Sequence, residues 1–90
     1  MPNETYSNRL IRVPFDQRRA LHALSAESYY ILSTIYYSVD VINDNALMGK
    51  TNFGLSRLRK AKRDLTNKGY LDVTQNGRAT YTYTVGGPNE

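Results

Sequence analysis

Residues 54–71 read GLSRLRKAKRDLTNKGYL, and this stretch constrains the chain more than any other. Leu55, Leu58, Ala61 and Leu65 recur at the spacing of one helical face. At about 100° per residue, Ser56, Lys60, Arg63 and Asn67 fall opposite that stripe, with Arg59 beside them. Six residues of the stretch are cationic and one, Asp64, is anionic. Lys68-Gly69 supplies a cation at the carbonyl end and then a residue suited to a left-handed stop. A helix of this kind buries its leucines in its own domain and leaves its cations outside.

The sequence after the helix, YLDVTQNGRATYTYTV, alternates with period two around Asn76-Gly77. A two-residue turn would put Leu71 and Val73 on the face of Thr80 and Thr82. A three-residue loop, Gln75-Asn76-Gly77, instead joins Leu71, Val73, Ala79, Tyr81, Tyr83 and Val85 on one face. That arrangement buries the apolar set and is the expected one. Tyr70, Asp72, Thr74, Arg78, Thr80, Thr82 and Thr84 then form the other face.

Upstream, residues 10–15 (LIRVPF) read as a short strand that Pro14 confines to a sheet edge. Asp16 is a candidate cap for a short helix through residues 17–24. Ser25 is a second cap, with Glu27 in the first turn where the helix dipole favours an anion. From Ala26 to about Val39, one helical side carries Ser28, Leu32, Ile35, Tyr36 and Val39, and the opposite side carries Tyr30 and Tyr37. Residues 39–44 read as a very short strand leading to a cap at Asn43 or Asp44. A short helix then contributes Leu47 and Met48. Residues 49–53 read as a turn, in which Gly49 and Asn52 best tolerate left-handed angles.

Ninety residues make one domain, and 40 % hydrophobic content suits a folded one. The expected organisation is a flexible arm over 1–8, a domain over 9–85 and a loose tail over 86–90. The net charge of +4 is unevenly spread: no Lys or Arg lies between Ala20 and Gly49. Cysteine is absent, which excludes disulfides and thiolate metal sites and favours a reducing, cytoplasmic setting. No apolar run reaches the roughly 18–20 residues that cross a bilayer. His22 is the sole histidine, so neither a Ser-His-Asp set nor a histidine metal site assembles convincingly. Asp40 and Asp44 lack the spacing of a calcium loop and suit turns and caps. No phosphate-binding glycine loop is present. Catalysis, a metal, a cofactor and a small-molecule ligand are therefore not expected.

The order helix, short strand, short helix, turn, basic helix, glycine, hairpin resembles a winged helix-turn-helix DNA-binding domain of the bacterial, plasmid and phage type. LSAESYYIL, NALMGKTNFGLSRLRKAKRDL and NKGYLDV…NGR…TYTYTV carry the likeness, over roughly residues 24–85. It implies an α+β fold with a three-helix core and a C-terminal β-hairpin wing. It also implies that helix 54–68 enters the major groove of double-stranded DNA with its N-terminal half nearest the base edges. By that likeness Thr51, Asn52, Ser56, Arg57 and Lys60 are candidates for base reading. Arg59, Arg63 and Asn67 are candidates for phosphate contact, and Arg78 sits at the wing tip. Arg57 and Lys62 flank the leucine stripe, so stems laid along the core are an alternative for both. The role implied is transcriptional regulation or accessory work for a mobile element.

Homodimerisation is expected, because one short module rarely reaches high specificity alone. For Tyr30 and Tyr37, a dimer contact, packing against the N-terminal segment and simple exposure all remain open. Arg9 and Arg12 suit either a minor-groove arm or a charged strand edge. The rival to DNA binding is a protein-interaction module of the same fold, its basic helix meeting an acidic partner. A weaker one is binding of RNA or single strands, which exposed Tyr70, Tyr81 and Tyr83 would support.

Overall fold

Three side chains turn extended backbone into helix. The Asp16 carboxylate accepts hydrogen bonds from the Arg18 and Arg19 amides at 2.9 and 3.2 Å. The Ser25 hydroxyl accepts from the Ser28 amide at 3.1 Å, and the Asn43 side chain from the Ala46 amide at 2.8 Å. Each satisfies a donor that the first helical turn leaves without a partner. The computed structural model describes residues 9–39, 43–75, 77 and 80–87. Among them the chain forms β1 (Arg9–Val13), α1 (Gln17–Ala23), α2 (Ala26–Tyr36), α3 (Asp44–Thr51), α4 (Leu55–Asn67), β2 (Leu71–Gln75) and β3 (Tyr81–Gly86). This is a small α+β domain of four helices and one three-stranded sheet.

The sheet runs in the order β1-β3-β2, so the last strand is the middle one. β1 is parallel to β3, with Leu10 opposite Tyr83 and Arg12 opposite Val85. β2 is antiparallel to β3, with Leu71 opposite Val85, Val73 opposite Tyr83 and Gln75 opposite Tyr81. Leu71, Val73, Tyr81, Tyr83 and Val85 share one face as predicted, but that face is buried only at Leu71 and Val85: Tyr81 and Tyr83 are half-buried, and Val73, expected in the core, is 44 % exposed towards the far end of the hairpin. The register differs from the predicted one, however: Gln75 ends β2 as a strand residue opposite Tyr81, where a three-residue loop would put it in the turn. An even shift in register leaves every side chain on its face. It also brings Leu71 and Val85 together at the buried base of the hairpin, where the Gly86 amide donates to the Tyr70 carbonyl at 2.9 Å. Gly86 therefore belongs to the strand and not to a loose tail. Its φ is +110°, and a Cβ there would lie 1.8 Å from the Val13 carbonyl oxygen.

The core lies between the sheet and α2, α3 and α4, and α1 adds Ala20 and its C-cap Leu24. Ile31, Leu32, Leu47, Leu58, Leu65, Tyr70 and Val85 are its fully buried large apolar residues. Tyr70 was expected on the outer hairpin face, yet it is buried. The reason is the end of α4. Gly69 takes φ +84°, the Tyr70 amide donates to the Leu65 carbonyl at 2.8 Å, and the Gly69 amide donates to Thr66 at 3.2 Å. This is a Schellman stop, whose second residue past the cap characteristically packs back onto the helix. Phe15 lies edge-on to both Tyr36 and Tyr70, at 5.0 and 6.3 Å between centroids.

Two further expectations shift. α2 ends at Tyr36, not near Val39, and Val39 is 97 % exposed. Arg12 closes that end, its guanidinium donating to the Tyr36 carbonyl at 2.6 Å and also to the Ser38 carbonyl. α3 runs through Gly49 to Thr51, and Asn52 alone takes the left-handed turn, at φ +64°. The short strand predicted over 39–44 falls partly outside the described residues. No helix among the described residues is long and apolar enough to cross a membrane.

Candidate nucleic-acid interface

α4 sorts its cations by angle. Leu58, Ala61 and Leu65 are buried and define the inner side. Leu55, predicted to join them, is 40 % exposed, because it sits in the first turn at the rim of the stripe. The cations on the two flanks are held by the protein's own oxygens. Arg57 donates to the Glu27 carboxylate at 2.5 and 3.1 Å, and its guanidinium lies 4.4 Å from the Phe53 ring centroid. Lys62 pairs with Asp44 at 2.8 Å, across the α3 flank. Lys68 reaches Asp64 at 3.2 Å and the Ala23 carbonyl at 2.8 Å.

The outward face differs. Ser56, Arg59, Lys60, Arg63 and Asn67 are all exposed. Among the described residues, none of the cations Arg59, Lys60 and Arg63 has an ion pair or a side-chain hydrogen bond. The field leaving this helix thus comes from three adjacent cations in its middle, with neutral polar residues at either end.

Other predicted residues are placed as follows. Thr51 is buried, its hydroxyl donating to the Leu47 carbonyl at 2.6 Å and accepting from the Phe53 amide at 3.3 Å. It fixes the turn between α3 and α4 and does not reach the surface as expected. Asn52 is exposed in that turn. Arg78 lies outside the described residues. Tyr30 and Tyr37 are 46 % and 68 % exposed. Each still touches a ring, Tyr30 edge-on to Phe53 at 5.7 Å and Tyr37 to Tyr36 at 5.1 Å. Tyr81 and Tyr83 are half-buried.

The anionic partners were the unforeseen part of the site. Glu27 and Asp44 carry first-turn signals, but their reach to α4 spans thirty and eighteen residues of sequence. Only Asp64–Lys68, four apart on one helix, was visible as a pair. Asp64 is held below its usual carboxylate range, first by a hydrogen bond from the Ser28 hydroxyl and further by Lys68. A surface hollow of about 310 Å³ between α2 and α4 is lined by Ser25, Glu27, Ser28, Lys60, Ala61 and Asp64. Its two carboxylates make it unsuited to an anion. No group of three potential metal-ligating side chains occurs among the described residues.

No protein-family model, curated protein or solved structure matches the chain.

Proposed function

We propose that the chain binds double-stranded DNA as a small winged helix-turn-helix protein, with α4 in the major groove and the β2–β3 hairpin as its wing. The observation that carries this reading is the sorting of charge on α4: flank cations are matched to carboxylates, whereas Arg59, Lys60 and Arg63 face solvent with no ion pair among the described residues. A groove about 12 Å wide admits one helix, and phosphates on its walls supply the counter-charge. α2, α3 and the turn at Asn52-Phe53 support α4 as the first elements of a helix-turn-helix support the second helix. The role that suits a module of this size is cytoplasmic regulation of transcription, or an accessory task for a mobile element, as a homodimer.

Titration of duplex DNA across a salt series tests the proposal. Log K is expected to fall linearly with log salt, by about 0.9 for each phosphate neutralised. Absence of binding at low salt, or a flat response, refutes it.

A second reading draws on exposed Tyr30 and Tyr37: a module that docks an acidic protein. It predicts co-purification with a protein, and loss of that partner in Tyr30→Ala or Tyr37→Ala with duplex affinity absent throughout.

A further inference from the structure

Resting on the DNA reading, the geometry points to Arg63 as the residue that reads a guanine on the groove floor, with Arg59 and Lys60 as a clamp on the two phosphate walls.

The buried residues of α4 fix a direction. Leu58, Ala61 and Leu65 mark the inward side, and the line opposite them is the most outward. At about 100° per residue, Ser56 and Arg63 lie within about 15° of that line, and Asn67 within about 30°. Arg59 and Lys60 lie about 50° to either side of it, one residue apart along the axis. The cations thus form a triangle, two spread sideways at one level and the third central, one turn farther along.

A helix with its side chains is about 10–12 Å across, and the major groove is about 12 Å wide and 8.5 Å deep. Side chains leaving such a helix sideways meet the walls, which are phosphate. A side chain leaving along the outward line meets the floor, which is base edges. Of the residues on that line, Arg63 alone carries a planar fork of donors, and guanine O6 and N7 are the acceptor pair it fits. Ser56 is short, and Asn67 stands at the last turn.

The ion pairs isolate the clamp. Beyond Lys60, Glu27 and Asp64 line the hollow beside it and are matched by Arg57 and Lys68, so among the described residues Lys60 carries the uncompensated charge on that side. Beyond Arg59, Lys62 is already matched by Asp44. This division of labour differs from the one the family resemblance implies, in which distance from the helix N-terminus assigns Lys60 to bases and Arg63 to phosphates. On a straight helix in a groove, angle decides between floor and wall, and length along the axis decides only which base pair.

The test is selection of bound sequences from random duplex DNA by the full chain, followed by binding of the selected duplex and of a copy with each guanine replaced in turn. Arg63→Lys keeps the charge and removes the fork. It is expected to lower the preference for one guanine by roughly 5- to 150-fold, with the salt slope nearly unchanged. Arg59→Ala and Lys60→Ala are expected to weaken all duplexes alike, each reducing the slope by about 0.9. Circular dichroism checks that each exposed substitution leaves the fold intact. A base preference that survives in Arg63→Lys, moves in Lys60→Ala, or is lacking in the unaltered chain overturns the assignment and leaves DNA binding standing. No duplex binding by the unaltered chain overturns both.

Discussion

The Arg57 guanidinium lies 2.5 Å from the Glu27 carboxylate, joining the first turn of α4 to the first turn of α2. The same guanidinium stacks on Phe53, whose ring meets the edge of Tyr30. The turn between α3 and α4 is therefore held from both sides, and the start of α4 with it. One surface cation is matched by the pair, and one anion is fixed beside it.

Glu27→Gln separates these effects. Both side chains are about half exposed, so the loss of the pair is expected to cost no more than about 1 kcal/mol by urea denaturation. Duplex affinity is expected to rise several-fold at low salt, because a repelling charge goes and Arg57 is released. A fall in affinity at low salt would mean that the pair positions α4 and that its charge is secondary.

Asp64 adds a pH dependence. Its carboxyl is held below the ordinary range, chiefly by the Ser28 hydroxyl and then by Lys68. The unfolded chain therefore takes up the proton first as pH falls. The stabilisation is complete above the unfolded value, near 3.9, and is lost as pH drops through the lower folded value. Urea midpoints for the native protein and Asp64→Asn are expected to differ at pH 6 and to converge as the pH falls through the lowered folded value. A constant gap across that range would remove Asp64 from the account.

Gly86 tests the sheet. Any β-carbon there meets the Val13 carbonyl, and the backbone stands in a region that side chains disfavour. Gly86→Ala is expected to cost about 3 kcal/mol and to speed hydrogen exchange in β1 before α4. Equal exchange in both elements would show that β1 and the helices unfold as one unit.

Tyr70 offers the opposite sign. Its hydroxyl is buried and, among the described residues, lacks a hydrogen-bond partner. Tyr70→Phe keeps the ring packed between Phe15 and the α4 stop while removing an uncompensated polar group. Its stability is expected to stay level or to rise by about 1 kcal/mol. A loss of 1 kcal/mol or more would reveal a partner for that hydroxyl.

What the sequence made legible was local. The leucine stripe, the caps at Asp16, Ser25 and Asn43, and the Lys68-Gly69 stop each depend on residues within one or two turns. Hairpin faces were legible for the same reason, since period-two alternation survives a change of loop length. The register did not share that protection, because several even shifts bury the same residues. Burial of Tyr70 was encoded in the glycine before it, but strand alternation argued the other way and the helix stop prevailed. The pairings Arg57–Glu27, Lys62–Asp44 and β1–β3 join residues far apart in the chain, and no periodicity announces them. The three cations on the outward face were thus visible as candidates, whereas their isolation from the carboxylates of the described residues needed the fold.

The position of β3 bears on how the molecule is assembled during synthesis. A ribosome makes β1 first, then all four helices, then β2, and only afterwards the strand that lies between the two others. Until β3 emerges, β1 has no ladder to join, and Arg12, whose guanidinium closes the end of α2, sits on a strand without a neighbour. The helical half can condense early on its own local contacts, but the nascent chain completes its sheet in one late step.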